Sequence, residues 1–417
     1  MPAARPRVAI TGIGVVSPFG EGRELFWDHV TRGVSATRAI TGFEPQGACR
    51  VAAPIPEDFF QKDDVESAPA SNADPRRYSR ASRIAVAAAI EAFRDAGLTA
   101  DEGEIGVIVG SGAGGIDVAE RQYGEFFAGD LHRVSPYAIP VSIVGMIASE
   151  VSIALGLRGV SHVLSTGCTS STDAIGYAAS AIRQGDADVL ITGGADACVT
   201  PGMIFGFSRM RAVSTRYNDR PAEASRPFDR GRDGFVLGEG AWMLTLERED
   251  RARARGAPIY AMVDGYASTC DAFHRVQMDP EGVQIVRAMK TAIERSEWGL
   301  ADIGYINYHG TSTQLNDIVE SRCVRRLFGA RADEVPGSSI KSMIGHPQGA
   351  SGAAGVVAAA LAISRCIAPP TINLTDPDQE CGLDFIAGES RRLRVDAALC
   401  NCLGFGSKNS AIVLGRA

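Results

Sequence analysis

A cysteine at the start of a predicted helix is the residue of this sequence best placed for nucleophilic chemistry. Residues 160–172 have the pattern of a strand that turns at Gly167 into a helix, and Gly185 closes that helix. Cys168 is therefore expected at a helix N-terminus, where free N–H groups and the helix dipole favour a thiolate and can bind an oxyanion. The competing interpretation is a cysteine that only packs in the core.

Two histidines occupy similar positions at the ends of predicted strands. His309 follows the strand 305–308 and precedes the hydroxyl-rich Gly-Thr-Ser-Thr segment, whereas His346 lies in a glycine-flanked turn before an alanine-rich helix. A single histidine in such a turn is usually structural. Two of them in a chain with only six histidines and a candidate nucleophile indicate acyl-transfer chemistry.

Composition excludes several other classes of protein. The chain has 417 residues, a net charge of −7 and a pI near 5.5, which argues against nucleic-acid binding. Nine cysteines without a Cys-x-x-Cys pair indicate neither a disulfide framework nor a zinc site, so we expect reduced thiols and a cytoplasmic protein. The longest apolar run, 353–363, is too short to cross a bilayer, and no membrane association is expected.

The glycine-rich segment 110–115 matches the Gly-x-Gly-x-x-Gly dinucleotide pattern, but the context is wrong. The pattern normally occupies the first strand-to-helix turn of a fold and is followed by an acidic residue at the end of the next strand. Neither condition holds here, so we expect a tight loop rather than a nucleotide site.

The elements that must position these side chains alternate along the chain. Short β-branched runs alternate with alanine-rich helical segments, which predicts an α/β protein with layered helices and sheets. A charged segment at 247–256 is the predicted boundary between an N-terminal half, 1–256, and a C-terminal half, 257–417. Strands are predicted at 7–13, 105–109, 161–164, 189–192, 241–246, 260–266, 305–308, 399–401 and 411–414, with helices ending before Gly97 and Gly299.

Motifs spread over the whole chain resemble those of the β-ketoacyl-acyl carrier protein synthases, in particular the elongating ketosynthases of fatty acid and type II polyketide synthesis. The resemblance is specific because several of the motifs are long and occur in the family's order. They are Val8-Ala-Ile-Thr-Gly-Ile-Gly, Ser165-Thr-Gly-Cys-Thr-Ser-Ser, Ser225-Arg-Pro-Phe-Asp, Arg232-Asp-Gly-Phe-Val-Leu-Gly-Glu-Gly, His309-Gly-Thr-Ser-Thr, Lys341-Ser-Met-Ile-Gly-His and Gly404-Phe-Gly.

The resemblance implies a thiolase-like fold of two similar halves in a layered αβαβα arrangement, working as a dimer. It implies that Cys168 carries the acyl group and that His309 and His346 serve decarboxylation and condensation as neutral rings that donate hydrogen bonds. Substrates would arrive on the phosphopantetheine of an acyl carrier protein, with no cofactor or metal. The further roles implied are Lys341 as the organiser of the site, the N–H groups of Cys168 and Phe405 as the oxyanion hole, the Phe405 ring as the gate of the acyl pocket, and Thr311, Thr313 and His274 along the pantetheine channel.

Three departures from the family's pattern suggest a specialised ketosynthase. Gly355 replaces the usual glutamate nine residues after the second histidine, so Glu320 or Asp317 is expected to pair with Lys341 instead. Val276 replaces a threonine of the family's Tyr-His-Met-Thr segment. Ser407 and Lys408 replace the small residues that usually follow Gly-Phe-Gly.

An acidic enzyme that uses an acidic carrier protein needs a local basic patch. Residues 209–232 contain seven arginines against three acidic residues. The alternative for each arginine is an ordinary surface ion pair. The arginines that match or adjoin the family's docking positions are Arg76, Arg77, Arg133, Arg209 and Arg211.

Three functions stay open at this point. The first is a catalytic ketosynthase, which could be a fatty-acid enzyme that pairs with itself or a type II polyketide α subunit that pairs with a chain-length factor. The composition and the segment after His309 favour the polyketide α subunit. The second is a non-catalytic chain-length partner, against which Cys168 argues. The third is a thiolase-type acyltransferase on coenzyme A esters, for which Cys402 would be the second cysteine.

Overall fold

The computed structural model describes residues 6–61, 78–99 and 104–417. The strands of the described residues are β1 Val8–Ser17, β2 Gly20–Glu21, β3 Arg38–Ala39, β4 Val51–Ala53, β5 Gly106–Gly110, β6 Ser161–Leu164, β7 Val189–Ala197, β8 Leu237–Arg248, β9 Ala261–Cys270, β10 Ile303–Asn307, β11 Gly337–Ser338, β12 Ile367–Ala368, β13 Arg391–Arg392, β14 Ala397–Gly404 and β15 Lys408–Gly415. The helices are α1 Arg23–Thr31, α2 Glu57–Gln61, α3 Arg80–Asp95, α4 Ile116–Ala128, α5 Ala138–Ser142, α6 Met146–Leu155, α7 Ser170–Gln184, α8 Pro201–Arg209, α9 Glu249–Ala254, α10 Val283–Glu294, α11 Gln314–Phe328, α12 Lys341–Ile344 and α13 Ser351–Arg365.

The main sheet consists of two halves with the same strand order. One half runs β1-β8-β7-β5-β6 and the other runs β9-β15-β14-β10-β11. In each half the first two pairings are antiparallel and the last two are parallel. The halves are joined by a short pairing of β1 with β9 at Ala9 and Ile10. The prediction of two similar halves is therefore confirmed at the level of topology.

Two buried helices separate the half-sheets. Every residue of α13 from Ser351 to Ile363 is buried, as expected for a helix that is apolar or small on all sides. α7 packs against α13, and both contact strands of both halves, whereas α3 covers the outer face of the first half and α10 that of the second. The resulting order of layers is helix, sheet, helix, sheet, helix, as predicted.

The predicted strands are all present, and most extend beyond the predicted bounds. β7 was expected to end at Thr192 but continues to Ala197, because its backbone stays paired with β8 although Gly193 and Gly194 have no strand propensity. The helix expected before Gly97 is α3, and Gly97 follows it with a φ of +66°. In the described part of the chain, no helix combines the length and the hydropathy required to cross a membrane.

Candidate active site

Cys168 lies in a tight turn between β6 and α7, and the residues around it fix that turn. Gly167 has a φ of +70°, a conformation that favours glycine. The Ser170 hydroxyl accepts from the Thr166 N–H at 2.9 Å and donates to the Gly167 carbonyl. Asp173, one turn into α7, accepts from the Thr166 hydroxyl at 2.6 Å. The predicted position of Cys168 before a helix is confirmed.

His309 comes directly after Tyr308 at the carboxyl end of β10, and a buried carboxylate holds its backbone. Glu320 on α11 accepts from the N–H groups of His309 and Gly310 at 2.7 and 2.8 Å. Asp317, one turn earlier, accepts from the Thr311 N–H at 3.0 Å. The His-Gly-Thr segment is therefore clamped by two carboxylates of the helix that follows it.

His346 is anchored to the other half of the molecule. Its N–H donates to the Val236 carbonyl at 2.7 Å and its carbonyl accepts from the Gly238 N–H at 3.0 Å, next to the start of β8. Its ring packs edge-on against Phe235, with 5.4 Å between the ring centroids.

The cysteine and the two histidines meet at one point. The Cys168 sulfur and one ring nitrogen from each histidine lie within 4.8 Å of one another, and the rings are nearly perpendicular with centroids 5.3 Å apart. All three side chains border a cavity of about 310 Å³. Other predicted residues that border this cavity are Thr311, Thr313, Arg211, Val276 and Phe405.

Burial keeps both imidazoles neutral. Desolvation, with a further contribution from the Lys341 charge, holds the pKa of His309 and that of His346 well below the usual value of 6.5. The prediction of two neutral rings is confirmed. A neutral imidazole has one N–H donor and one lone pair, so the pair can both donate hydrogen bonds and accept a proton.

At Cys168, burial outweighs the helix N-terminus that was expected to favour a thiolate. Burial raises the pKa of its thiol to about 12, with a smaller contribution from Cys402 in the same direction. Hydrogen bonding from the Phe405 N–H and the charge of Lys341 oppose the rise without cancelling it. Cys168 therefore rests as a thiol, and its proton must leave as the sulfur attacks.

Lys341 lies beside this cluster but not in the expected ion pair. Burial lowers the pKa of its ammonium, and the group is only 4% exposed. Among the described residues it forms no ion pair with Glu320 or Asp317. The charges of Glu320 and Asp317 still favour its ammonium, but neither carboxylate forms a close ion pair with it, because Glu320 accepts from two backbone N–H groups and Asp317 faces Arg232 at 3.6 Å.

The absence of a side chain at position 355 has a local reason. A Cβ on Gly355 would lie 2.4 Å from the side-chain oxygen of Asn307. The position is therefore closed to the carboxylate that the family's pattern predicts there.

Cys402 is a second thiol in contact with the site but outside the cavity. It is 1% exposed, and its sulfur donates to the Cys168 carbonyl at 3.0 Å and lies 3.7 Å from the His309 Nδ1. It is not among the residues that border the cavity. Cys402 and Cys400, two residues earlier on β14, are both free thiols.

Phe405 lies at the tip of the β14–β15 hairpin, over the nucleophile. Its N–H donates to the Cys168 sulfur, and its ring faces Phe207 at 6.4 Å between centroids. The hydroxyls of Thr311 and Thr313 are 2.9 Å apart on the cavity wall.

His274, which was expected along the pantetheine channel, does not border this cavity. Its side chain is exposed, and its Nδ1 accepts from the N–H groups of Val276 and Gln277 at 3.1 Å, which stabilises the surface loop. The next residues of that loop, Val276 and Gln277, border the cavity instead.

The candidate docking arginines differ in their surroundings. Arg209 and Arg211 are exposed and form no ion pair within the described residues, and Arg211 borders the cavity. Arg133 is 62% exposed and faces Glu125 at 3.6 Å. Arg76 and Arg77 lie outside the described residues.

Asp196, which sequence reasoning missed, organises the loop that resembled a dinucleotide motif. It is completely buried at the end of β7 and accepts from the N–H groups of Gly112, Ala113 and Gly349 at 2.8, 3.1 and 2.6 Å. The loop amides that would bind a phosphate are thus already used, which confirms the tight-loop interpretation. The signal was an aspartate inside an otherwise apolar strand.

Within the described residues, the side chains with the spacing required to bind a metal ion are those of the same three catalytic candidates. Cys168, His309 and His346 offer one sulfur and two nitrogens, a set that suits zinc. The acyl chemistry described below uses each of these atoms without a metal.

Comparisons with known proteins agree across the chain. The family models of the β-ketoacyl synthase N-terminal and C-terminal domains match residues 5–252 and 260–375. The 3-oxoacyl-[acyl-carrier-protein] synthase 2 of Synechocystis sp. is 40% identical, over 97% of each chain. The tetracenomycin polyketide synthase ketoacyl synthase alpha subunit of Streptomyces glaucescens is 41% identical, over 99% of this chain and 98% of its own. The solved ishigamide ketosynthase/chain length factor has a TM-score of 0.89 and 32% identity, over 99% of this chain and 100% of its own.

Proposed function

The chain belongs to the β-ketoacyl synthase family, and we propose that it joins an acyl chain carried on Cys168 to malonyl-acyl carrier protein by decarboxylative Claisen condensation. The observation that supports this most strongly is that the Cys168 sulfur and ring nitrogens of His309 and His346 lie within 4.8 Å of one another at the edge of a cavity. Relatives in both fatty acid and polyketide synthesis match at about the same identity.

The first half-reaction transfers the acyl group to Cys168. The cysteine sulfur forms a bond to the acyl carbon, and the bond from that carbon to the pantetheine sulfur breaks. Because the pKa of the thiol is raised, its proton passes through a neutral imidazole to the departing pantetheine thiolate. The N–H groups of Cys168 and Phe405 stabilise the oxygen of the tetrahedral intermediate.

The second half-reaction makes the nucleophile from malonyl-carrier protein. The bond to the carboxylate breaks and carbon dioxide leaves, so the remaining electron pair forms an enolate. N–H groups of His309 and His346 donate to the enolate oxygen, and one such donor is typically worth about a hundred- to thousand-fold in rate. The enolate carbon attacks the acyl carbon, and the Cys168 sulfur leaves as a thiolate that takes up a proton. Decarboxylation supplies the carbanion, so the proposal needs no cofactor.

Lys341 acts on the histidines through its charge. It lowers the pKa of both rings, which favours the neutral forms that this chemistry requires. It has no part in bond formation in this proposal.

The acyl carrier protein is proposed to dock at Arg209 and Arg211. Both arginines are exposed and lack an ion-pair partner in the described chain, whereas the other five arginines of residues 209–232 form ion pairs. Arg211 also borders the cavity, where a phosphopantetheine arm would enter. Arg133 is a weaker candidate for docking because it already faces the carboxylate of Glu125.

A second copy or a chain-length-factor-like subunit is proposed to cover the face formed by α4, α5, α6 and β6. Nine of the sixteen exposed large apolar side chains of the described residues lie between positions 123 and 160, including Phe127 at 81% and Ile139 at 61% exposure. β6 is also an edge strand of the sheet. An apolar face beside an open edge is typical of a protein interface.

The thiolase alternative is not favoured. A thiolase would need its second cysteine at the substrate, but Cys402 lies outside the cavity and donates to a backbone carbonyl. A non-catalytic chain-length partner is not favoured either, because that function does not explain why a thiol lies next to two histidine rings.

The direct experiment is intact-mass analysis after incubation with a series of acyl-carrier proteins, with and without candidate partner subunits. We expect one acyl group per chain, located on Cys168 by peptide mapping and absent from the Cys168→Ala variant. Acylation only in the presence of a chain-length-factor-like partner would assign the polyketide role. Acylation of Cys402, or acylation by coenzyme A esters with none by the acyl-carrier proteins, would contradict the proposal.

A further inference from the structure

The hairpin turn that carries Phe405 contains a serine in an unusual conformation. Gly404 pairs with Lys408, so Phe405, Gly406 and Ser407 form the turn between β14 and β15. Gly406 and Ser407 have φ values of +82° and +64°. A left-handed conformation is free of strain for glycine but unfavourable for serine, so Ser407 must be stabilised by its surroundings.

The Ser407 hydroxyl makes three hydrogen bonds to a different loop. It accepts from the N–H groups of Phe273 and His274 at 3.2 and 3.1 Å and donates to the His274 carbonyl at 2.9 Å. Ser407 is 4% exposed. Two backbone bonds join the same segments, from the Asp271 N–H to the Ser407 carbonyl at 2.8 Å and from the Gly406 N–H to the Arg275 carbonyl at 2.9 Å.

The two segments that these bonds join both contribute to the wall of the catalytic cavity. Phe405 borders the cavity on one side and donates its N–H to the Cys168 sulfur. Residues 276–278, which continue the loop 271–278, border it as well. Movement of the Phe405 turn away from Cys168 must therefore either break the bonds of the Ser407 hydroxyl or move the loop 271–278 together with the turn.

We propose that Ser407 is a positioning residue that latches the Phe405 turn to the loop 271–278 and thereby selects which acyl chains reach Cys168. The inference rests on the proposed acylation of Cys168. A small acyl group needs little displacement of the Phe405 ring, whereas a long chain needs the turn to open. The latch therefore slows loading of long chains more than loading of short ones.

Two substitutions separate the hydroxyl from the backbone strain. Ser407→Gly removes the three hydroxyl bonds and relieves the strain, while Ser407→Ala removes the same bonds and keeps the strain. Lys408→Met is the matched control, because Lys408 is in the same hairpin and forms no ion pair within the described residues. Each variant is tested for the rate of acylation by acetyl- and dodecanoyl-pantetheine and for hydrogen exchange of the amides of residues 273 and 274.

Both Ser407 variants should raise the ratio of dodecanoyl to acetyl loading by about tenfold, the factor expected when one or two hydrogen bonds no longer oppose opening. Both should also speed exchange of the two amides, while Lys408→Met changes neither quantity. The latch would be overturned if the ratio of dodecanoyl to acetyl loading stayed constant or changed only in Ser407→Gly. It would also be overturned if hydrogen exchange of the amides of residues 273 and 274 did not change. Failure of the wild-type protein to acylate with either thioester would contradict the proposed function instead, and the exchange result would still test the latch.

Discussion

Glu320 gives a sharp test because its carboxylate holds the backbone of His309. Both oxygens are used, one by the His309 N–H at 2.7 Å and the other by the Gly310 N–H at 2.8 Å. Glu320→Gln keeps the shape but replaces one acceptor with an NH₂ group, which cannot accept. One buried N–H is then left without a partner, at a cost of about 1–3 kcal/mol.

The pH dependence of this cost has a definite sign. Burial raises the pKa of Glu320 to about 7, against about 4.5 for an exposed glutamate. The folded protein thus binds a proton that the unfolded chain has already lost, so the stability contributed by neutral Glu320 is complete below about pH 4.5 and is lost as the pH rises through 7. Between about pH 5 and pH 8 this amounts to about 2–3 kcal/mol, and the glutamine variant cannot show this loss of stability.

The assay is urea denaturation of both proteins across that pH range, together with condensation of small pantetheine thioesters. We expect the variant to be less stable than the wild type near pH 5, and the difference in stability to shrink by about 2–3 kcal/mol by pH 8. Condensation should fall at every pH because the His309 segment shifts. Glu294→Gln is the control, since Glu294 is 59% exposed in a surface ion pair with Lys290. A gap that does not change with pH, or normal condensation, would refute this account of Glu320.

Three further substitutions test separate parts of the proposal. Arg211→Glu should reduce turnover of carrier-bound substrates at least tenfold more than turnover of small pantetheine thioesters. The control Arg287→Glu, at an exposed arginine on α10, should leave the turnover of both kinds of substrate unchanged. Equal losses with both substrates in Arg211→Glu would exclude docking at Arg211. Lys341→Ala should raise the pKa of both site histidines, because it removes a nearby positive charge. The acidic limb of the pH–rate profile should therefore shift to higher pH, and an unshifted limb would contradict the electrostatic role of Lys341. Cys402→Ser should keep most of the condensing activity because a hydroxyl can also donate to the Cys168 carbonyl, and a loss as complete as that of Cys168→Ala would restore the thiolase alternative.

Much of the fold and the identity of the catalytic candidates could be predicted from local sequence. The strands are marked by β-branched runs and the helix ends by glycines, and these signals depend on neighbours in sequence. Cys168 and His309 each follow a strand, whereas His346, expected at the end of a strand, follows the short helix α12; all three enter glycine-containing turns that are visible without the structure. Their meeting at one point depends on the resemblance to a family, because 141 residues separate Cys168 from His309.

The local environment of these residues could not be predicted in the same way. The helix N-terminus that favours a thiolate at Cys168 is visible in the sequence, but the burial that raises the pKa of this thiol comes from segments distant along the chain. Glu320 was expected to pair with a charge, whereas it accepts from two backbone N–H groups ten and eleven residues earlier. The hydrogen bond between Ser407 and His274, on which the proposed latch depends, joins segments 133 residues apart. Its only signal in the sequence is that Ser407 replaces a residue that usually follows the family's Gly-Phe-Gly.

The most direct test of the central claim separates decarboxylation from condensation in the Cys168→Gln variant. The glutamine cannot be acylated, but its carbonyl can occupy the oxyanion hole as an acyl thioester would, while His309 and His346 remain to stabilise the enolate. We measure release of labelled carbon dioxide from malonyl-carrier protein alongside formation of the β-ketoacyl product. The account predicts continued release with no product, and suppression of the release by at least tenfold when His346→Ala is added. A folded Cys168→Gln protein that still forms product, or whose release of carbon dioxide is indifferent to His346→Ala, would contradict the division of labour between the cysteine and the histidines.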